Sequence, residues 1–188
     1  MIDYLKDIDT QIFLYLNGKH NQFWDVAMYW ITNRFFWTPL YILLLLLVVQ
    51  QFKKKTWLVV LSIVLLITLS DQGSGLIKRS VERYRPCYNL SIGQQVHLID
   101  GCGGQFGFVS SHAANSFALA MFLSILLRGR AKNFTPFIFI WAGLVSFSRI
   151  YSGVHYPLDL LGGAILGCLL GYLMLKIYFY ADKRINYE

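Results

Sequence analysis

The chain has 188 residues, 56% of them hydrophobic and 14% charged, with a mean hydropathy of +0.48. Soluble domains carry about 25% charged residues, so the composition argues against a soluble globular enzyme and for a membrane protein; a greasy soluble helical bundle is the alternative. The formal charge of +7 is spread over short segments between apolar runs, which fits membrane topology better than a nucleic-acid-binding face.

Residues 1–35 carry Asp3, Asp7 and Asp9 where a secretory signal would carry Lys or Arg, and no small-residue cleavage site follows an apolar core. Ile2, Leu5, Ile8 and Ile12 recur at helical spacing, as do Trp24, Ala27 and Ile31. Both stretches are too short and polar to span a bilayer, so residues 1–35 are read as an amphipathic N-terminal segment lying in the interface. Trp24, Trp30, Trp37 and Trp57 fall near the expected membrane borders, where indole rings settle.

Residues 36–188 are read as one transmembrane domain. Its apolar blocks are Phe36–Val49, Trp57–Leu69, Ala113–Leu127, Phe134–Phe147 and Leu158–Tyr180. Each extends to roughly 17–23 residues by borrowing Ser, Gly or Thr at its ends, about a bilayer's span. The expected fold is therefore all-α, a polytopic bundle of about five transmembrane helices. Alternate loops then lie on opposite sides. One set holds Lys53, Lys54, Lys55, Arg128, Arg130, Lys132, Lys183 and Arg184, which the positive-inside rule puts in the cytoplasm. The other set faces out and comprises the N-terminal region, residues 77–110 and residues 149–157. Cys87 and Cys102 share that outer segment, where an oxidising compartment would let them pair; two free thiols are the alternative. Cys168 is expected to pack in mid-span.

Three polar islands fall on the outward side. In "KRSVERYRP", Lys78 and Arg85 are two helical turns apart and could share one face, the helix ending near Pro86. Two convergent cations suit a phosphate, or a lipid headgroup. In "FVSSHAANSFALA", Ser110 or Ser111 is placed to cap a helix whose free N–H groups form an anion site, with His112 in the first turn. In "SRIYSGVHYPLDLLGG", Tyr156-Pro157 reads as a helix start. Asp159 falls in its first turn, four residues after His155, where it can accept a hydrogen bond from the imidazole. Arg149 adds a third cation. No CxxC or HExxH spacing appears and carboxylates are too few for a two-metal centre, so no metal or other cofactor is expected.

Together the islands resemble the three-part signature of the type 2 phosphatidic acid phosphatase superfamily, which includes vanadium haloperoxidases. Lys78 with Arg85-Pro86 matches the first part and Ser148-Arg149, His155 and Asp159 the third. The second departs: Val109-Ser110-Ser111-His112 has Val for Pro and Ser111 for Gly, and keeps Ser and His. The resemblance covers roughly residues 55–175. It implies that His155 is the nucleophile of a phosphohistidine mechanism, oriented by Asp159. It implies that His112 is the general acid and base, and that Lys78, Arg85, Arg149, Ser110 and the Ser111 N–H hold phosphate. Asp71, seven residues before Lys78, is added from its position as a support for that lysine. The expected function is a metal-independent hydrolase of a lipid phosphate or pyrophosphate in the cytoplasmic membrane, its site facing the periplasm or exterior. Its partners are then the lipid substrate and membrane lipids, not nucleic acid. The short exposed region favours undecaprenyl pyrophosphate as substrate. The phosphates of lipid A, phosphatidylglycerol phosphate and phosphatidic acid are alternatives. A non-catalytic lipid-phosphate carrier is the reading from another class, and two histidines argue against it, because binding needs only the cations.

Overall fold

The computed structural model describes residues 2–129 and 133–185. Two short helices come first, α1 (Ile2–Asn17) and α2 (Gln22–Thr32). Then follow α3 (Thr38–Phe52), α4 (Thr56–Val81), α5 (Ser111–Leu126), α6 (Phe134–Tyr151) and α7 (Pro157–Ile185). Each apolar block of the sequence maps onto one of α3–α7. Among the described residues no strand forms, and the one extended pairing is an isolated bridge between Tyr84 and Phe106. The protein is an all-α membrane bundle.

Local signals account for the helix ends. The Asn21 side chain caps α2 by accepting from the Trp24 N–H at 3.0 Å. Lys53 adopts a positive φ of 46° and reverses the chain between α3 and α4. Glu82, also left-handed with φ 49°, ends α4. That end corrects the sequence-based expectation for the first island. The helix stops four residues before Arg85, which is extended (φ −66°, ψ 157°), so Lys78 and Arg85 do not share a helix face.

A 2.6 Å ion pair joins Lys55 at the start of α4 to Asp182 near the end of α7. Gln51, Lys55 and Arg128 line a pocket with Asp182 at this basic end. Arg130 and Lys132 lie outside the described residues. At the opposite end sit α1, α2, residues 82–110 and the turn between α6 and α7.

Three stretches are long and apolar enough to cross a membrane: Arg34–Val81, which contains both α3 and α4, Phe134–Tyr151 and Pro157–Ile185. The 16-residue α5 is about 24 Å long, short of a hydrocarbon core of about 30 Å. It is the central helix, with Ala113, Ala114, Ala118, Phe122 and Leu123 buried by its neighbours. Facing away from the core, Leu43, Leu46, Leu61, Leu65, Ile165 and Leu169 are exposed. An apolar belt of this kind is untenable in water and natural in lipid, and the chain is an integral membrane protein.

Against α5, α7 presents Gly163, Gly167 and Gly171. Helices in lipid gain most from close backbone approach, since burial of apolar surface drives little there. A Cβ on Gly167 would meet the Ala114 carbonyl oxygen at 2.2 Å, and one on Gly171 the Ala118 oxygen at 2.6 Å. Gly167→Ala must therefore push the two helices apart. A loss of about 1–3 kcal/mol is expected, read as a lower melting temperature in detergent, whereas Gly143→Ala, whose Cβ would meet nothing within 4 Å, should leave melting unchanged.

Candidate active site

α1 does more than lie on the bundle. Phe13 is fully buried and meets the Tyr156 ring edge-on at 5.3 Å. It joins a small core with Ile92, Ala113, Ile150 and Leu160, contributed by the 82–110 segment, α5, α6 and α7. The Asn17 side chain donates to the carbonyls of Tyr151 (2.9 Å) and Ile150 (3.3 Å), satisfying the last turn of α6. This packing fixes the turn 152–156 on which His155 sits.

His155 is 2% exposed. Its Nδ1 lies 3.2 Å from Asp159 Oδ2. With Asp159 ionised, Nδ1 carries the proton and the Nε2 lone pair is left free. The same Oδ2 accepts from the Tyr156 N–H at 3.0 Å, a reach back to the helix start like that of a capping box. Oδ1 of Asp159 accepts from Arg83 at 2.9 Å. Arg83 in turn donates to Asp9 Oδ2 at 2.6 Å, and Asp9 Oδ1 accepts from the Leu158 N–H at 2.9 Å. Two buried carboxylates thus cover the first N–H groups of α7, and Arg83 neutralises part of their charge. Neither Asp9 nor Arg83 was singled out from the sequence.

The segment 83–107 is folded back on itself. Arg85 N–H donates to the Gln105 carbonyl (3.1 Å) and Gly107 N–H to the Arg83 carbonyl (2.8 Å). Cys87 and Cys102 form a disulfide within this loop, their Cα atoms 6.2 Å apart. Gly107 lies against the site: a Cβ there would meet Asp159 Oδ2 at 2.9 Å and Arg85 Cγ at 3.3 Å. Arg85 donates through Nε to the Phe106 carbonyl at 3.3 Å.

Ser110 occupies the N-cap of α5, but its side chain makes no capping bond. Its hydroxyl is buried with no hydrogen-bond partner among the described residues, and so is Nε of Arg149. Nη1 of Arg149 donates to Thr32 Oγ1 at the end of α2. The open Ser110 hydroxyl at the start of α5 and the open Arg149 Nε in the last turn of α6 are both donors suited to an anion. Ser111 is already occupied: its hydroxyl bonds to Ser74 Oγ at 2.7 Å and receives Lys78 Nζ at 2.5 Å. The residue standing where the signature has Gly therefore pins Lys78. Asp71 makes no ion pair with Lys78 among the described residues. Two helical turns, about 10 Å of rise, separate them, so its expected support from behind is at most a long-range field. Instead Asp71 lines the mouth of a cavity.

That cavity has a volume of about 560 Å³. It lies between α3, α4, α5 and α6, with apolar walls that include Leu44, Ile67, Leu119 and Trp141, and it reaches Ser111 and His112. Lys78, Arg85 and Arg149 all act electrostatically on both His112 and His155. The structure thus gathers Lys78, Arg85, Ser110, Ser111, His112, Arg149, His155 and Asp159 at one end of the bundle. The arrangement offers one imidazole with a free nitrogen, a second imidazole at a helix start, three cations, and an apolar chamber that reaches the second imidazole.

Burial, and then the positive charges of Arg85, Arg149, Lys78 and Arg83, hold the His155 imidazole well below its ordinary pKa. The unfolded chain therefore takes up a proton that the native state refuses. The stability tied to this group is complete above about pH 6.5 and is lost as acid pulls the pH lower. From pH 7.5 to 5.5, the fall in wild-type stability should exceed that of His155→Asn by about 1.4 kcal/mol per unit below pH 6.5. Inorganic phosphate, opposing the four cations, should shrink the difference; melting curves in detergent read both effects.

The PAP2 superfamily profile matches residues 55–183. A lipid A 4'-phosphatase of Bacteroides thetaiotaomicron is 43% identical over 97% of this chain and 81% of its own length. One from Porphyromonas gingivalis is 31% identical over 97% and 78%. The undecaprenyl-diphosphatase BcrC of Bacillus subtilis is 32% identical over 45% of this chain and 42% of its own. Among solved structures, the transmembrane PAP2-type phosphatidylglycerolphosphate phosphatase of Bacillus subtilis superposes with a TM-score of 0.69 at 25% identity, covering 97% of this chain and 88% of that one.

Proposed function

The chain belongs to the PAP2 superfamily and is a membrane phosphatase acting on lipid phosphates; we propose that its substrate is lipid A, from which it removes the 4'-phosphate. The observation that carries this reading is an apolar cavity that reaches Ser111 and His112, the latter within the field of Lys78, Arg85 and Arg149, which suits acyl chains in the cavity and a phosphate beside His112. The choice of lipid follows the two lipid A 4'-phosphatases, similar along nearly the whole chain, whereas the likeness to the undecaprenyl enzyme is confined to under half of it. Undecaprenyl pyrophosphate, favoured above for want of exposed protein, is set aside for a physical reason too. α1, α2 and the disulfide-closed segment 82–110 all stand at the site end, so enough protein is present there to meet a disaccharide headgroup.

In the proposed reaction Nε2 of His155 attacks phosphorus as the bond to the sugar oxygen breaks. His112, protonated from solvent once the substrate's negative phosphate offsets the cations around it, gives that oxygen its proton, leaving a phosphohistidine. His112 then takes a proton from water, the resulting hydroxide attacks phosphorus, the P–N bond breaks, and phosphate leaves. Lys78, Arg85 and Arg149, with the Ser110 hydroxyl and the Ser111 N–H, hold the non-bridging oxygens as charge shifts among them. No metal is invoked. The basic end, with Lys53–Lys55, Arg128, Lys183 and Arg184, favours a cytoplasmic position by the positive-inside rule. The site then faces the periplasm from the inner membrane.

Purified enzyme should be offered bisphosphorylated lipid A, undecaprenyl pyrophosphate and phosphatidylglycerol phosphate side by side with chelator present. Mass spectrometry should find lipid A lighter by one phosphate, lost from the 4' position. Release from undecaprenyl pyrophosphate with intact lipid A would reverse the assignment, and equal release by wild type and His155→Ala would remove the catalytic one.

A further inference from the structure

Beside the wall behind His155, three segments bring together side chains that the proposed hydrolysis leaves unused. His20 follows α1, Asp25 lies in the first turn of α2, and His97 belongs to the segment between α4 and α5. Each offers one ligand atom, and these atoms lie within 4.8 Å of one another. We propose that His20, Asp25 and His97 bind one divalent transition-metal ion, with zinc the best fit to the donor set. Two imidazole nitrogens and one carboxylate oxygen are zinc's ordinary ligands, with water completing the tetrahedron.

The surrounding contacts are those of a supported site. Asp25 Oδ1 receives the Tyr151 hydroxyl at 2.7 Å and faces His97 Nε2 at 2.9 Å. The His97 backbone is held at both its N–H (2.8 Å) and its carbonyl (2.9 Å) by the buried Asn17 side chain. Such outer partners fix ligand orientation. The rings of His20 and His97 stack face to face, centroids 3.7 Å apart and planes within 4°. A shared ion requires the exposed His20 to turn out of that stack, drawing the donors to roughly 3.3 Å as Zn–N bonds of about 2.0–2.1 Å demand. On binding, His97 takes the tautomer that leaves its ligating nitrogen unprotonated, its one N–H moving to the other ring nitrogen by exchange with solvent. The bound ion would tie the α1–α2 corner to the disulfide-bearing segment and, through Asn17 and Tyr151, to the end of α6. It would brace the wall next to the nucleophile without touching phosphate. A hydrogen-bonded His–Asp–Tyr cluster with no ion is the plain alternative.

The full chain, purified in detergent and stripped with chelator, should be titrated with zinc chloride and followed by calorimetry and melting. One ion per chain is expected. The midpoint should rise by roughly 5–10 °C at a hundredfold excess over Kd. The rise should persist in His155→Ala and vanish in His20→Ala, whose ring is exposed and whose activity in chelator should equal wild type. Asp25→Asn should lose the rise as well. Absence of any zinc-dependent shift in wild type, or a full shift in His20→Ala, overturns the proposal. So does a shift lost in His155→Ala, which would assign the ion to the phosphate site.

Discussion

Replacing His155 by alanine is expected to lower kcat/KM by at least about 10⁴-fold, with no phosphoenzyme recovered from an acid-quenched reaction. The size follows from the role proposed for the position. With Nδ1 held by Asp159 at 3.2 Å, Nε2 is free, and burial with four nearby cations keeps it unprotonated. An alanine leaves the cations in place, so phosphate should still bind, and inorganic phosphate should protect the variant and wild type alike in melting experiments. His112→Ala should behave differently. A sugar alkoxide is a poor leaving group and needs its proton, so lipid A turnover should fall by about 10²–10⁴-fold. An aryl phosphate leaves without help, so with that substrate the phosphoenzyme should form and persist, its hydrolysis lacking a base. Loss of phosphoenzyme in both variants with both substrates would contradict the division of labour. Turnover by His155→Ala near wild type would contradict the nucleophile itself.

The grouping of the residues just argued is legible in the sequence because their local contacts are encoded at short range. The His155–Asp159 contact is an i,i+4 pair at a Pro-marked helix start. Lys78, Arg149 and His112 each stood at the border of an apolar run. What remained hidden depends on distance along the chain. Asp9 meets Arg83 across 74 residues and the Leu158 N–H across 149. Nothing local separates Asp9 from Asp7, or Arg83 from Arg79. Only the docking of α1 onto α6 and α7 decides which acid is buried, and the apolar part of that docking centres on Phe13, one apolar residue among many. The end of α4 was misplaced for a related reason. Pro86 is the stop signal in the sequence, whereas the left-handed Glu82, a residue with no special propensity for that conformation, ends the helix, its N–H bonded to the Lys78 carbonyl. The spacing of Gly163, Gly167 and Gly171 was in plain view; its meaning required knowing that α5 lies across it.

Asp9→Ala is the variant that tests this hidden layer, and it is expected to cost about 3–5 kcal/mol of stability although the proposed reaction gives Asp9 no direct part. The carboxylate is 2% exposed and does two things. It accepts an N–H at the start of α7, and it takes one arm of Arg83. Without it the N–H loses its partner, and the whole guanidinium is left to Asp159. Asp159 must hold Arg83, the Tyr156 N–H and His155 Nδ1 with two oxygens. A cation shifted toward it should pull the carboxylate off the imidazole. A fall in kcat of about tenfold with KM little changed is therefore expected alongside the lower melting point, because imidazole orientation matters after the substrate is bound. Asp7→Ala, exposed and two residues away, should sit within about 0.5 kcal/mol of wild type. Asp9→Asn keeps one acceptor for the Leu158 N–H and should recover part of the stability while recovering little of the turnover. If Asp9→Ala matched Asp7→Ala in both melting and kcat, α1 would be a dispensable cover, and the chain of contacts from the first helix to His155 would carry no energy.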